Sequence, residues 1–138
     1  MNITINYWAV LVSAVASMVI GSVWYGPLFG KMFMTAMGMD KWTKKQQEEM
    51  RKKMLATYLV QFIASIVMFF VLAMFMGKLD QMSVCGGLVT AFWVWIGFIV
   101  PLKLGDALWG GKMILFWLGI SNMLLTILAS GAIIGAWQ

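Results

Sequence analysis

Histidine is missing from the sequence altogether, and cysteine occurs once, at Cys85. Metal, haem and thiol–disulfide sites draw on several such ligands, so the composition argues against a bound metal, a cofactor or redox chemistry. Acid is scarce as well, with five Asp and Glu against ten Lys and Arg, and charged residues make up only 11% of the chain. Cys85, Asp106 and scattered hydroxyls do not assemble a nucleophile, a base and an orienting group, so no enzyme is expected. Proline occurs twice, at Pro27 and Pro101, and each becomes a landmark in otherwise continuous apolar sequence.

What remains is overwhelmingly apolar. The 138 residues are 62% hydrophobic with a mean hydropathy of +0.89, too apolar for a soluble domain. The lipid bilayer is the expected partner. A net charge of +5 in such a chain marks the cytoplasmic face of a membrane rather than a nucleic-acid partner, and none is expected. The opening "MNITINYW" carries no Lys or Arg, unlike the basic start of a signal peptide. The first apolar run is therefore expected to stay as a span of a single domain covering residues 1–138.

Crossing about 30 Å of hydrocarbon takes roughly 20 residues of helix. Four runs qualify, at about 5–24, 55–76, 82–102 and 113–135, and their continuous rather than alternating hydrophobicity calls for helices. The expected fold is thus an all-α, multi-pass membrane protein of four transmembrane helices, with a short interfacial helix after the first. Basic residues gather on one side, in the 31–54 connection and at Lys103 and Lys112, whereas the other side has only Lys78. The positive-inside rule then places both termini outside the cytoplasm.

Within the basic connection, Thr43 followed by Gln46 reads as a capping box, and Glu48 with Lys52 and Glu49 with Lys53 are pairs four apart. The second helix should start near Lys44 and overshoot the membrane by two turns or more. Lys44, Lys45, Arg51, Lys52 and Lys53 are either a solvated face or a contact for anionic lipid. Before them, Gly26 and Pro27 should bend the chain, so that "LFGKMFMTAM" lies as an amphipathic helix along the interface.

Two kinds of stripe run along the spans. Ala9, Ser13, Ser17 and Gly21 recur every four residues, and Gly131 and Gly135 form GxxxG, with Gly87 and Ala91 on the third span; such faces let backbones approach within or between chains. A homo-oligomer is expected on this ground. Asn122, Thr126 and Ser130 make a polar stripe that either hydrogen-bonds between helices or lines a pathway, with Gln61, Ser65 and Thr90 as facing partners. Lys103 and Asp106, three apart at the end of the third span, are either a snorkelling pair or an ion or headgroup site. Trp24 and Tyr25 suit the interface and complete the pathway or ligand candidates. Tyr58, Trp93, Trp95, Trp109 and Trp117 are most simply anchors or packing.

The segment Trp24-Tyr25-Gly26-Pro27-Leu28 with Gly30-Lys31, together with the closing Gly131-Ala132-Ile133-Ile134-Gly135-Ala136-Trp137, resembles the bacterial membrane family catalogued as domain of unknown function 1761. The likeness covers almost the whole chain and implies four membrane helices, the bacterial cytoplasmic membrane and no particular reaction. The family pattern includes polar or His residues near the end of the third span and in the fourth; here stand Lys103, Asp106 and Asn122. Two functions compete. The first is an oligomeric channel or transporter for a small solute or ion, with a pathway along Asn122, Thr126 and Ser130. The second is a non-transporting structural or lipid-interacting membrane protein.

Overall fold

The computed structural model describes residues 4–137. Six α-helices follow in order: α1 (Tyr7–Val23), α2 (Gly30–Ala36), α3 (Lys44–Lys78), α4 (Val84–Val94), α5 (Val100–Gly110) and α6 (Met113–Ala136). Among the described residues there is no strand. A π-helical turn at Trp24–Leu28 prolongs α1, and a second at Trp95–Ile99 joins α4 to α5. Four helical units therefore have the length and apolarity to cross a membrane: Tyr7–Leu28, Lys44–Lys78, Val84–Gly110 and Met113–Ala136.

Neither proline interrupts the helix at its own position: the bend expected at Gly26-Pro27 comes at Phe29, before α2, and the third unit continues through Pro101. An α-helical proline loses a hydrogen bond and pushes its ring into the carbonyl four residues back. Here the chain widens by one residue per turn at each site. The Phe29 amide donates to the Trp24 carbonyl at 2.9 Å, and the Val100 amide donates to the Trp95 carbonyl, both five residues back. The helix thus passes through Pro27 and breaks only at Phe29, whose φ of −124° and ψ of 15° are no longer helical. The third unit runs on past Pro101 to Gly110, beyond its expected end at Leu102.

Helix ends follow local chemistry. Thr43 caps α3 as a complete capping box: the Gln46 amide donates to Thr43 Oγ1 at 3.3 Å, and the Thr43 amide donates to Gln46 Oε1 at 3.0 Å. Asn6 does two jobs with one side chain. Its oxygen accepts from the Trp8 and Ala9 amides, capping α1, while its Nδ2 donates to the Trp137 carbonyl at 3.0 Å. The start of α1 is thereby tied to the end of α6, so these helices run antiparallel.

Helix α6 is the centre of the molecule, packing chiefly on α4 and α1 and at its start on α5. The core joins Ala9, Val10 and Ala14 of α1, Phe69, Leu72 and Met76 of α3, Ala91 of α4, and Ile127 and Ile134 of α6. A smaller cluster of Ala107, Phe116 and Ile120 lies where α5 meets α6. Helix α3 joins the bundle only along its second half: its buried residues are Ser65, Phe69, Leu72, Ala73 and Met76. Every residue from Thr43 to Gln61 is exposed.

Candidate functional site

The most constrained part of the molecule is the pair of faces that α6 presents to α4 and α1. On the α4 side, the backbones meet without side chains between them. A Cβ on Gly131 would collide with the Gly87 carbonyl, one on Gly87 with the Gly131 carbonyl, and one on Gly135 with the Ser83 carbonyl. Glycine is required at all three for this approach, and contact so close is rich in dispersion, as between small-residue faces of membrane helices.

Towards the basic end, two tryptophans clasp α6. Trp24 Nε1 donates to the Leu118 carbonyl at 3.1 Å, and Trp95 Nε1 donates to the Ile120 carbonyl at 2.9 Å. A carbonyl already bonded in its helix keeps a second lone pair, which an indole N–H can use. Both tryptophans open a π-helical turn, and both belong to a Val-Trp-x-Gly sequence, Val23–Gly26 and Val94–Gly97. One device thus occurs twice, on the two helical units that flank α6. Alignment of the two units on Val-Trp-x-Gly would have found it in the sequence. Trp95, read from sequence as an anchor or packing residue, is the position that this signal would have singled out.

The polar stripe of α6, expected either to bond between helices or to line a pathway, makes no side-chain hydrogen bond to another helix among the described residues. Ser130 is buried, but its hydroxyl donates to the Thr126 carbonyl of its own helix at 2.9 Å. Thr126 Oγ1, Asn122 Oδ1 and, on α1, Ser13 Oγ are buried without a hydrogen-bond partner. Of the facing candidates, Ser65 donates to the Gln61 carbonyl within α3 at 2.9 Å, Gln61 is exposed, and Thr90 is buried. Back-bonding of this kind satisfies a hydroxyl without any contact to another helix.

The remaining candidates are dispersed. On α1, Ser13 is buried and Ser17 half-buried, with the Ser17 hydroxyl donating to the Ala14 carbonyl at 2.6 Å. Gly21 faces open space, and a Cβ there would meet nothing within 4 Å. Tyr25 is half-buried with its ring tilted against Phe33, centroids 4.8 Å apart. Lys103 and Asp106 are both exposed on α5. Three grooves open on the surface, of about 440, 440 and 320 Å³. Their walls are mainly apolar, the first also holding Gln81 and the candidate Thr90, and none of the three is lined by Trp24, Tyr25, Lys103, Asp106, Asn122, Thr126 or Ser130.

No curated protein and no solved structure matches the chain. A family model described as "Protein of unknown function (DUF1761)" matches residues 8–135, a stretch that holds both indole clasps and all three contact glycines. The chain belongs to this family of unknown function.

Proposed function

We propose that the chain is a non-transporting protein of the bacterial cytoplasmic membrane, with both termini outside the cytoplasm, that holds anionic lipid at the inner leaflet. The observation that carries this reading is the projecting first part of α3. Lys44, Lys45, Arg51, Lys52 and Lys53 are all exposed on one rigid helix locked by the Thr43–Gln46 cap. Lys31 and the exposed Met32, Met34 and Met37 lie on or beside α2, so a basic surface and an apolar one stand at the same end. Basic residues next to an anionic leaflet contribute about 1 kcal/mol each, enough in sum to select lipid headgroups.

The test is lipid selectivity in nanodiscs, read by electron paramagnetic resonance of spin-labelled lipids. Anionic lipid should be enriched several-fold over zwitterionic lipid around the protein. The enrichment should fall when the salt is raised to about 0.5 M, where the screening length is only a few ångströms. Replacing the five basic residues with Gln should remove it. Unchanged selectivity in that variant would defeat the reading.

An oligomeric channel or transporter is the second reading, favoured by the unpartnered Ser13 Oγ, Asn122 Oδ1 and Thr126 Oγ1, since polar groups at membrane depth mark pathways. Proteoliposomes decide between the two. Transport requires a flux of ions or small solutes above that of empty vesicles, lowered at least about tenfold by Asn122→Leu; the lipid-holding reading requires none.

A further inference from the structure

Helix α4 gives its small-residue face to α6, through Gly87 on Gly131. Its side towards α3 is left open, and two of the three surface grooves lie there. One, of about 440 Å³, takes in Leu79, Gln81, Thr90 and Trp93; the other, of about 320 Å³, takes in Met68, Val71, Leu72 and Ile127. Phe75, Val94 and Phe98 line both, so the two are parts of one cleft between α3 and the third helical unit. Leu72 and Ile127 are fully packed beneath it, at 2% and 0% exposed. Size, aromatic walls and a few placed polar groups are what small-molecule sites have in common, with volumes of about 300–1,000 Å³.

The polar groups sit in one part of the cleft only. Thr90 is 6% exposed, yet its hydroxyl makes no hydrogen bond among the described residues. A helical threonine can bond a carbonyl of its own preceding turn; this one lines the cleft instead. A hydroxyl buried without a partner costs free energy, and a ligand atom that accepts or donates a hydrogen bond recovers it. Gln81 stands at the mouth, in the turn from α3 to α4. Its backbone amide donates to the Met76 carbonyl at 2.8 Å, and the missing Cβ of Gly86 leaves space for its side chain. The Gln81 side chain has only one hydrogen bond among the described residues, a long one of 3.5 Å from Nε2 to the Leu79 carbonyl. The 320 Å³ part has no polar lining residue, and no charged residue lines either part.

This gradient runs along the membrane normal. Thr90 lies about 9 Å along α4 from its start at Val84, and Met68 about 16 Å along α3 from Leu79. A charged head is costly at such depth, whereas a small neutral one with hydrogen-bonding atoms meets Thr90 and Gln81. We propose that the cleft binds an uncharged single-chain lipid of the monoacylglycerol kind. Its ester and hydroxyl oxygens pair with the Thr90 hydroxyl and the Gln81 amide, and its chain runs between Phe75 and Phe98 to Met68, Val71 and Ile127. Binding here depends on the membrane placement proposed above but not on the basic end of α3, so the cleft and the anionic-lipid selectivity can fail separately.

A monoacylglycerol with a diazirine at the end of its chain tests this in nanodiscs. Photolysis should label Met68, Val71 and Ile127 most strongly and saturably, in competition with mono-oleoylglycerol but not with phosphatidylglycerol. Thr90→Val should weaken binding roughly three- to tenfold, the loss of one hydrogen bond, while Thr90→Ser, which keeps the hydroxyl, should preserve it. Val89→Trp, which fills the polar part of the cleft, should abolish saturable labelling. Leu11→Trp, in the separate groove between α1 and α3, should leave it unchanged. Melting temperatures of all variants are compared, so that misfolding does not pass for lost binding. Even, non-saturable labelling of every exposed apolar face would overturn the proposal, as would equal competition by phosphatidylglycerol or unchanged binding in Thr90→Val. So would a ready disulfide between copies through Phe98→Cys in a Cys85→Ser background, which would put a second chain in the cleft.

Discussion

Replacing Gly131 with alanine is expected to destabilise the protein by about 3 kcal/mol, at the upper end of the range for overpacking a filled interior. The added methyl would run into the Gly87 carbonyl, and Ala91 Cβ stands 3.1 Å from the same point. Neither the backbone of α4 nor a Cβ can rotate away, so the two helices have to separate along the contact. Gly87→Ala meets the reverse collision with the Gly131 carbonyl and should lose a similar amount. Because the two glycines press on each other, the double variant should lose less than the sum of the single ones; residues in contact show coupling of about 0.5–3 kcal/mol. Gly21→Ala is the internal control. Its methyl enters open space and gains up to about 1 kcal/mol of helix propensity, so it should leave stability unchanged or raised. Thermal unfolding in one detergent reads all four variants, with a fall of about 10 °C expected for Gly131→Ala. A fall at Gly21→Ala equal to that at Gly131→Ala would show that the α4–α6 contact is not the tight one.

This contrast shows what a sequence can and cannot carry about helix packing. Ala9, Ser13, Ser17 and Gly21 are as regular a stripe as Gly131 and Gly135, yet Gly21 has nothing beside it and Gly131 touches backbone. Spacing defines a smooth face; the partner depends on where α1 and α4 lie around α6, which no local pattern encodes. Interactions that span a few residues were legible, as the Thr43–Gln46 capping box shows. So was the number of long apolar helices, because length and hydropathy are local sums. The place of the bend after Pro27, and the continuation of the helix through Pro101, were not legible for a physical reason. A ring that breaks an α-helix can be carried by a π-helical turn, and that turn depends on a hydrogen bond five residues back that a propensity argument does not consider. The fate of Ser130 was equally hidden, since a hydroxyl can bond its own helix as readily as a neighbour.

Trp95→Ala is the second large effect expected, about 3–5 kcal/mol, the range for removing a large aromatic side chain from a core. Trp95 packs against both hydrophobic clusters, the main one around Ile127 and the smaller one of Ala107, Phe116 and Ile120. Its ring therefore links the two clusters, and its indole N–H fixes it to the Ile120 carbonyl. Trp95→Phe separates the two contributions. It keeps most of the ring but loses the donor, and should cost about 1 kcal/mol for the hydrogen bond plus part of the lost volume. Trp24→Phe should behave likewise, because its Nε1 holds the Leu118 carbonyl two residues earlier on α6. The clasps grip α6 at two different carbonyls from two different helical units, so the two Phe variants should combine additively to within about 0.5 kcal/mol. Chemical denaturation of the single and double variants measures this. Strong coupling between Trp24 and Trp95 would instead mean that the start of α6 is held as one cooperative unit, and that loosening either indole frees the whole basic end of the bundle.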